Sequence, residues 1–151
     1  MYVLDTNVVS ELRKVRSGKA SPNVAAWADS VASAELFVSS ITIHELEHGV
    51  LLMERADEAQ GAMLREWLDH SVASAFADRV LPVDERVARR AAALHVPDAA
   101  PFRDALIGGT ALVHGMTVAT RNVKDFRRFD GLDVLNPWEL STVHRRHPYR
   151  P

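Results

Sequence analysis

Apolar positions along the chain change their period several times. Short runs (Tyr2-Val3-Leu4, Leu36-Phe37-Val38, Val80-Leu81 with Val83, and Thr117-Val118-Ala119) alternate with longer stretches in which apolar residues recur every three or four positions. The short runs predict strands over residues 2–5, 36–40, 80–83 and 117–120, with a fifth over 132–135. The longer stretches predict helices. Val24, Trp27, Ala28 and Val31 mark one stripe, and Met63, Leu64, Trp67, Leu68 and Val72 mark another. Pro22 suits the opening position of the first, and Asp84 suits the cap of a third that runs through Val87, Ala91 and Leu94. The segment Val96 to Pro101 breaks the pattern before a helix that starts near Phe102. Strands that alternate with helices in this way predict an α/β domain with a central parallel sheet of four to five strands flanked by helices.

Length and composition agree with that picture. The chain has 151 residues, 47% hydrophobic and 25% charged, which suits one ordinary globular domain. Beyond Trp138 the sequence turns polar and ends His-Arg-Arg-His-Pro-Tyr-Arg-Pro, so a domain over residues 1–140 and a polar tail over 141–151 are expected, the tail frayed or ordered by a partner. Without cysteine there are no disulfides, thiolate nucleophiles or Cys-type zinc sites. The N-terminus lacks the features of a signal peptide, and no apolar stretch approaches the roughly 20 residues needed to span a bilayer. A cytoplasmic protein without a membrane role is expected.

A net charge of −2 argues against a bulk polyanion binder. Two local basic groups stand out, Arg13, Lys14, Arg16 and Lys19, then Arg121, Lys124, Arg127 and Arg128. Each reads first as a solvated face and second as a nucleic-acid contact.

The acids are more informative. Asp5, Glu45, Asp104 and Asp125 each follow a predicted strand or fall in the first turn of a predicted helix. Singly, each has a structural explanation: Asp5-Thr6-Asn7 as a helix cap, Thr42 and Glu45 as a capping box, and Asp104 and Asp125 as first-turn charges that favour the helix dipole. Together they have a further consequence. In a parallel α/β sheet every strand end that feeds a helix lies on one edge, the edge where such folds bind ligands. Carboxylates crowded there take up protons or hold a cation, and an all-oxygen set suits a hard ion such as Mg²⁺ or Mn²⁺. Such an ion between carboxylates fits phosphodiester hydrolysis. Phe102, Ala105 or Leu106, Gly109 and Leu112 read as the apolar stripe of the helix that carries Asp104. Gly108 and Ala111, on the acid's own face, would let it approach the sheet edge, or Gly108 and Gly109 merely ease packing. Thr120 and Asn122 are placed to bond a bound water or a phosphate, with Arg121 and Lys124 flanking the same edge.

In order along the chain stand Asp5-Thr6-Asn7, Ser40-x₄-Glu45-x₃-Gly49, Asp104-Ala105-Leu106-Ile107 and Thr120-Arg121-Asn122-Val123-Lys124-Asp125-Phe126, followed by Pro137-Trp138. This ordered set resembles the PIN-domain ribonucleases and, more narrowly, the VapC and FitB-like toxins of type II toxin–antitoxin pairs. The resemblance implies a PIN-like three-layer sandwich and a Mg²⁺- or Mn²⁺-dependent endoribonuclease, with Asp5, Glu45 and Asp104 as core acids. Asn122 or Asp125 completes the set, and Thr6, Asn7, Thr120, Arg121 and Lys124 stand as substrate-binding candidates. It also implies a homodimer, an RNA substrate, a small antitoxin partner, and operator DNA reached only through that antitoxin. A different class is a non-catalytic partner that helps an antitoxin bind its operator.

One motif competes. His44-Glu45-Leu46-Glu47-His48 spells H-E-x-x-H, the helix motif of zinc peptidases. Its metzincin extension is absent, since Leu51 and Glu54 stand where Gly and His are required, and Glu47 puts a charge inside a normally buried motif. The other histidines (His70, His95, His114, His144, His147) have no ligand spacing, and Trp27, Trp67 and Trp138 read as core, interface or base-stacking residues.

Overall fold

A computed structural model describes residues 1–139 and carries a parallel five-stranded sheet, β3-β2-β1-β4-β5. The tail expected over 141–151 lies outside the described residues. In chain order the elements are β1 (Tyr2–Leu4), α1 (Thr6–Leu12), α2 (Pro22–Ser30), β2 (Leu36–Ser39), α3 (Ser40–Ala56) and α4 (Glu58–Glu66). A π-helical turn (Trp67–Val72) and α5 (Ala73–Ala75) continue α4, and β3 (Val80–Leu81), α6 (Glu85–Ala93), α7 (Phe102–His114), β4 (Thr117–Ala119), α8 (Val123–Arg127) and β5 (Val134–Leu135) complete the fold. All five expected strands are present. Among the described residues no helix is long and apolar enough to cross a membrane.

β1 is the central strand because its residues are apolar on both faces, as a doubly covered parallel strand requires. Leu4 joins Val8, Trp27, Val38 and Leu46 in one core, beneath α1, α2 and α3; Val3 joins Ile107, Val118 and Phe126 in a second, beneath α7 and α8. The chain runs outward from β1 through β2 to β3, then returns across the sheet to β4 on the other side of β1. The strand order therefore reverses at β1, and a crevice opens at its carboxyl end.

Two local expectations are corrected, and one choice left open by the sequence is decided. The capping box of Thr42 and Glu45 does not form: Ser39 caps α3, its hydroxyl accepting the Ile41 N–H at 3.1 Å, which leaves Thr42 buried and Glu45 in the second turn. Phe102 is 72% exposed rather than part of an apolar stripe, and Met63 likewise points outward at 66%. Gly108 faces Phe129, and Gly109 faces Ala91 on α6, where a Cβ would lie 3.0 Å from the Ala91 backbone nitrogen. The small residues of α7 thus serve its packing on α6 and Phe129 rather than an approach to the sheet edge.

Candidate active site

The crevice is built outward from Asp5, the residue that follows β1. Parallel register sets Leu4 beside Ala119, and the Asp5 N–H donates to the Ala119 carbonyl at 2.9 Å, so Asp5 and Thr120 leave the sheet side by side. Asp5 Oδ1 accepts the Thr6 N–H at 2.8 Å as the cap of α1, while Oδ2 accepts the Thr120 hydroxyl at 2.7 Å and the Asn7 amide at 3.4 Å. The Asn122 N–H in turn donates to Thr120 Oγ1 at 3.0 Å, and Asn7 Oδ1 accepts the Arg121 N–H at 3.3 Å. These bonds tie the end of β1 to the loop after β4 and fix the rotamer of a carboxylate that is only 6% exposed.

Glu45 from α3 and Asp104 from the first turn of α7 face Asp5 across a crevice of about 790 Å³, which Thr6, Asn7, Phe102, Arg103 and Asn122 also line. Burial, then the charges of Asp5, Asp125 and Glu45, push the Asp104 carboxyl up from its ordinary 3.8 to about 6, against the opposing pull of Arg103. Burial followed by Asp5 raises Glu45 as well, and burial raises Asp5 in spite of its bond from Thr120. Three acids shifted the same way by desolvation and mutual repulsion form a set that a cation would relieve.

The donor chemistry therefore fits a hard divalent ion, oxygen atoms at a partly solvated edge being what Mg²⁺ and Mn²⁺ prefer. Among the described residues the carboxylates do not close around one point: no three His, Asp or Glu side chains stand as a ready cage. Two reasons are visible. Asp5 is turned onto Thr120, and Glu45 Oε2 lies 3.7 Å from Arg103 Nη1. An open set of this kind suits an ion that keeps several waters.

The other sequence candidates divide. Asn122 lines the crevice, while Asp125 is exposed and acts on Asp5 and Asp104 through its charge. Thr120 is fully buried, and its hydroxyl donates to Asp5 Oδ2. Thr6 bonds Thr42 at 3.4 Å, the Arg121 guanidinium lies over the Trp138 ring at 5.1 Å, and Lys124 is exposed on α8. Of the other tryptophans, Trp27 is core, edge-on to Tyr2, and Trp67 carries the Arg13 guanidinium at 5.8 Å. Arg103 escaped the sequence reading. Its signal was its place beside Asp104 at the start of a helix aimed at the crevice.

His44 and His48 are exposed, with ring centroids 6.5 Å apart, while Glu45 faces Asp5 and Arg103 instead. The H-E-x-x-H spelling therefore does not describe one convergent site.

A family model described as "PIN domain" matches residues 2–132. The chain is 38% identical over 144 residues to the VapC ribonuclease Y4jK of Sinorhizobium fredii, covering 92% of this chain and 99% of that protein. It is also 38% identical over 144 residues to Toxin FitB of Neisseria gonorrhoeae, covering 91% and 99%. Among solved structures, FitAcB from Neisseria gonorrhoeae superposes with a TM-score of 0.83 at 36% identity, over 93% of this chain and 100% of that one. FitAB bound to an IR36 DNA fragment gives 0.83 at 35%, over 95% and 100%.

Proposed function

This chain belongs to the PIN-domain family, among the VapC and FitB-like toxins, and on that premise we propose that it is a divalent-metal-dependent endoribonuclease, the toxin of a toxin–antitoxin pair. The observation that carries the reading is the meeting of Asp5, Glu45 and Asp104 in one crevice at the switch point of the sheet, with Asp104 raised to about 6. Acids arranged so that they repel each other are costly in a merely structural role and useful in a site that works with a cation.

Asp5, Glu45 and Asp104 would hold Mg²⁺ or Mn²⁺, with Asn122 at the rim and Asp125 acting directly or through water. When bound, such an ion supplies an acidified water and offsets charge on the phosphodiester. The chain's own residues do the rest. Thr120 and Thr6 hold both oxygens of Asp5 in a fixed direction, so little is lost in reorganisation when substrate arrives. Asn7 fixes the loop that carries Arg121 and Asn122, and Arg121 and Lys124 would contact phosphates of the bound strand.

The test is cleavage of a panel of structured RNAs in Mg²⁺ or Mn²⁺. Asp5→Asn and Asp104→Asn are each expected to lower the rate at least about 100-fold while the proteins remain folded. If the wild-type chain leaves every RNA intact with either metal present, the nuclease reading falls. Homodimerisation, a cytoplasmic site of action and silencing by a small antitoxin belong to the same proposal. The FitAB structure on DNA also favours a second role, in which antitoxin and toxin together occupy an operator. Assembly on operator DNA by a chain that cuts no RNA would leave that role alone.

A further inference from the structure

Arg103 borders two hollows. One is the acid crevice; the other, of about 400 Å³, is lined by His44, Glu47, His48 and Leu51 on the outer face of α3. From the proposed nuclease activity and this geometry we infer that Arg103, His44, His48 and Phe102 form a subsite for the RNA strand beside the bond to be cut.

Four observations carry this. First, Arg103 is held loosely: its side chain is 57% exposed, and its 3.7 Å separation from Glu45 is longer than the roughly 2.7–2.9 Å of a strong charge-assisted bond. A guanidinium in that state can turn to a phosphate, whose oxygens match its planar fork. Second, the carboxylate facing the outer hollow is already occupied, since Glu47 Oε2 lies 2.7 Å from Arg65 Nη1. The hollow therefore presents donors rather than a free acid. Third, His44 and His48 are one helical turn apart on the same exposed face, so a strand passing over α3 meets both. Fourth, Phe102 directs an aromatic ring to solvent, 72% exposed, at the wall of the acid crevice and next in sequence to Arg103. A base can stack there whatever its identity.

The arrangement answers an electrostatic need. A phosphate chain entering a crevice of acids is repelled wherever no cation faces it, and among the described residues Arg103 is the cationic side chain at its wall. It offsets part of the Glu45 charge when no strand is present and faces the strand when one is bound.

The experiment measures binding apart from cleavage. The full-length protein is titrated into a fluorescein-labelled single-stranded oligoribonucleotide in EDTA over a range of salt, and KM and kcat are then measured with Mg²⁺. Arg103→Ala is expected to raise Kd about tenfold and to flatten the salt dependence by about 0.7, the contribution of one phosphate contact on a single strand. Arg103→Lys is expected to keep the salt slope and lose about threefold in affinity, since the charge stays and the fork goes. Phe102→Ala and the double change His44→Ala with His48→Ala are each expected to weaken binding at least threefold, with losses greater in KM than in kcat. These residues are exposed, so the variants fold. Wild-type Kd and salt slope in Arg103→Ala overturn the subsite, and so does a variant that keeps RNA affinity but loses an antitoxin partner. If the wild-type chain cuts no RNA yet Arg103→Ala shows the expected loss of binding, the nuclease reading fails and the subsite stands.

Discussion

At Asp5 two roles use different atoms of one carboxylate: Oδ1 caps α1 through the Thr6 N–H, and Oδ2 takes the Thr120 hydroxyl. The cap is local, so it could be read from Asp5-Thr6-Asn7. The Thr120 bond spans 115 residues and depends on β4 lying beside β1, which strand propensity does not reveal. Asp104 carries the clearest pH signature. Its raised pKa means that the folded chain holds a proton there which the unfolded chain has released, so its ionisation costs stability. That cost is absent below about 4, grows as pH rises through the interval up to about 6, and is complete above it. In EDTA at pH 7.5, Asp104→Asn is therefore expected to raise Tm by about 2–4 °C, corresponding to about 1 kcal/mol at a half-exposed, screened position. The gain should vanish near pH 4. Thermal melts at the two pH values check it, and an equal gain at both would mean that charge is not the cause.

At the level of elements, type was more legible than register. The periods marked the sheet strands and the helices around Trp27, Val87 and Asp104, because each buries an apolar face. Helix starts were less secure: Ser39 and Thr42 are both competent caps, and the choice of Ser39 moved Glu45 into the second turn. Close crossings were also hidden, since a glycine reads alike in open and crowded places. Gly61 on α4 is such a place, where a Cβ would fall 2.4 Å from Glu54 Cα on α3. Gly61→Ala is expected to destabilise by about 1–3 kcal/mol through forced separation of the two helices, although alanine favours a helix. Gly49, in α3 with nothing within 4 Å, is the control, and Gly49→Ala is expected to stabilise by up to about 1 kcal/mol. Denaturant midpoints of the two variants should move in opposite directions.

Across the whole molecule, the central position of β1 makes the first strand depend on one that follows more than a hundred residues later. β1 pairs with β2 at Tyr2 and Leu36, but its other edge waits for β4, and the acid crevice waits for α7 and Thr120. Contacts so far apart in sequence close late, because the loop entropy must be overcome before they form. A chain truncated before Thr117 is expected to lack a cooperative melt and to fail to bind the oligoribonucleotide; a sharp transition in that fragment would show that β4 is dispensable. On the proposed nuclease activity, the order has a protective sense for a ribosome in the act of making this protein. The nascent chain carries Asp5 and Glu45 early but cannot assemble the crevice until β4 has emerged, so the messenger being translated meets no finished site until synthesis is nearly over.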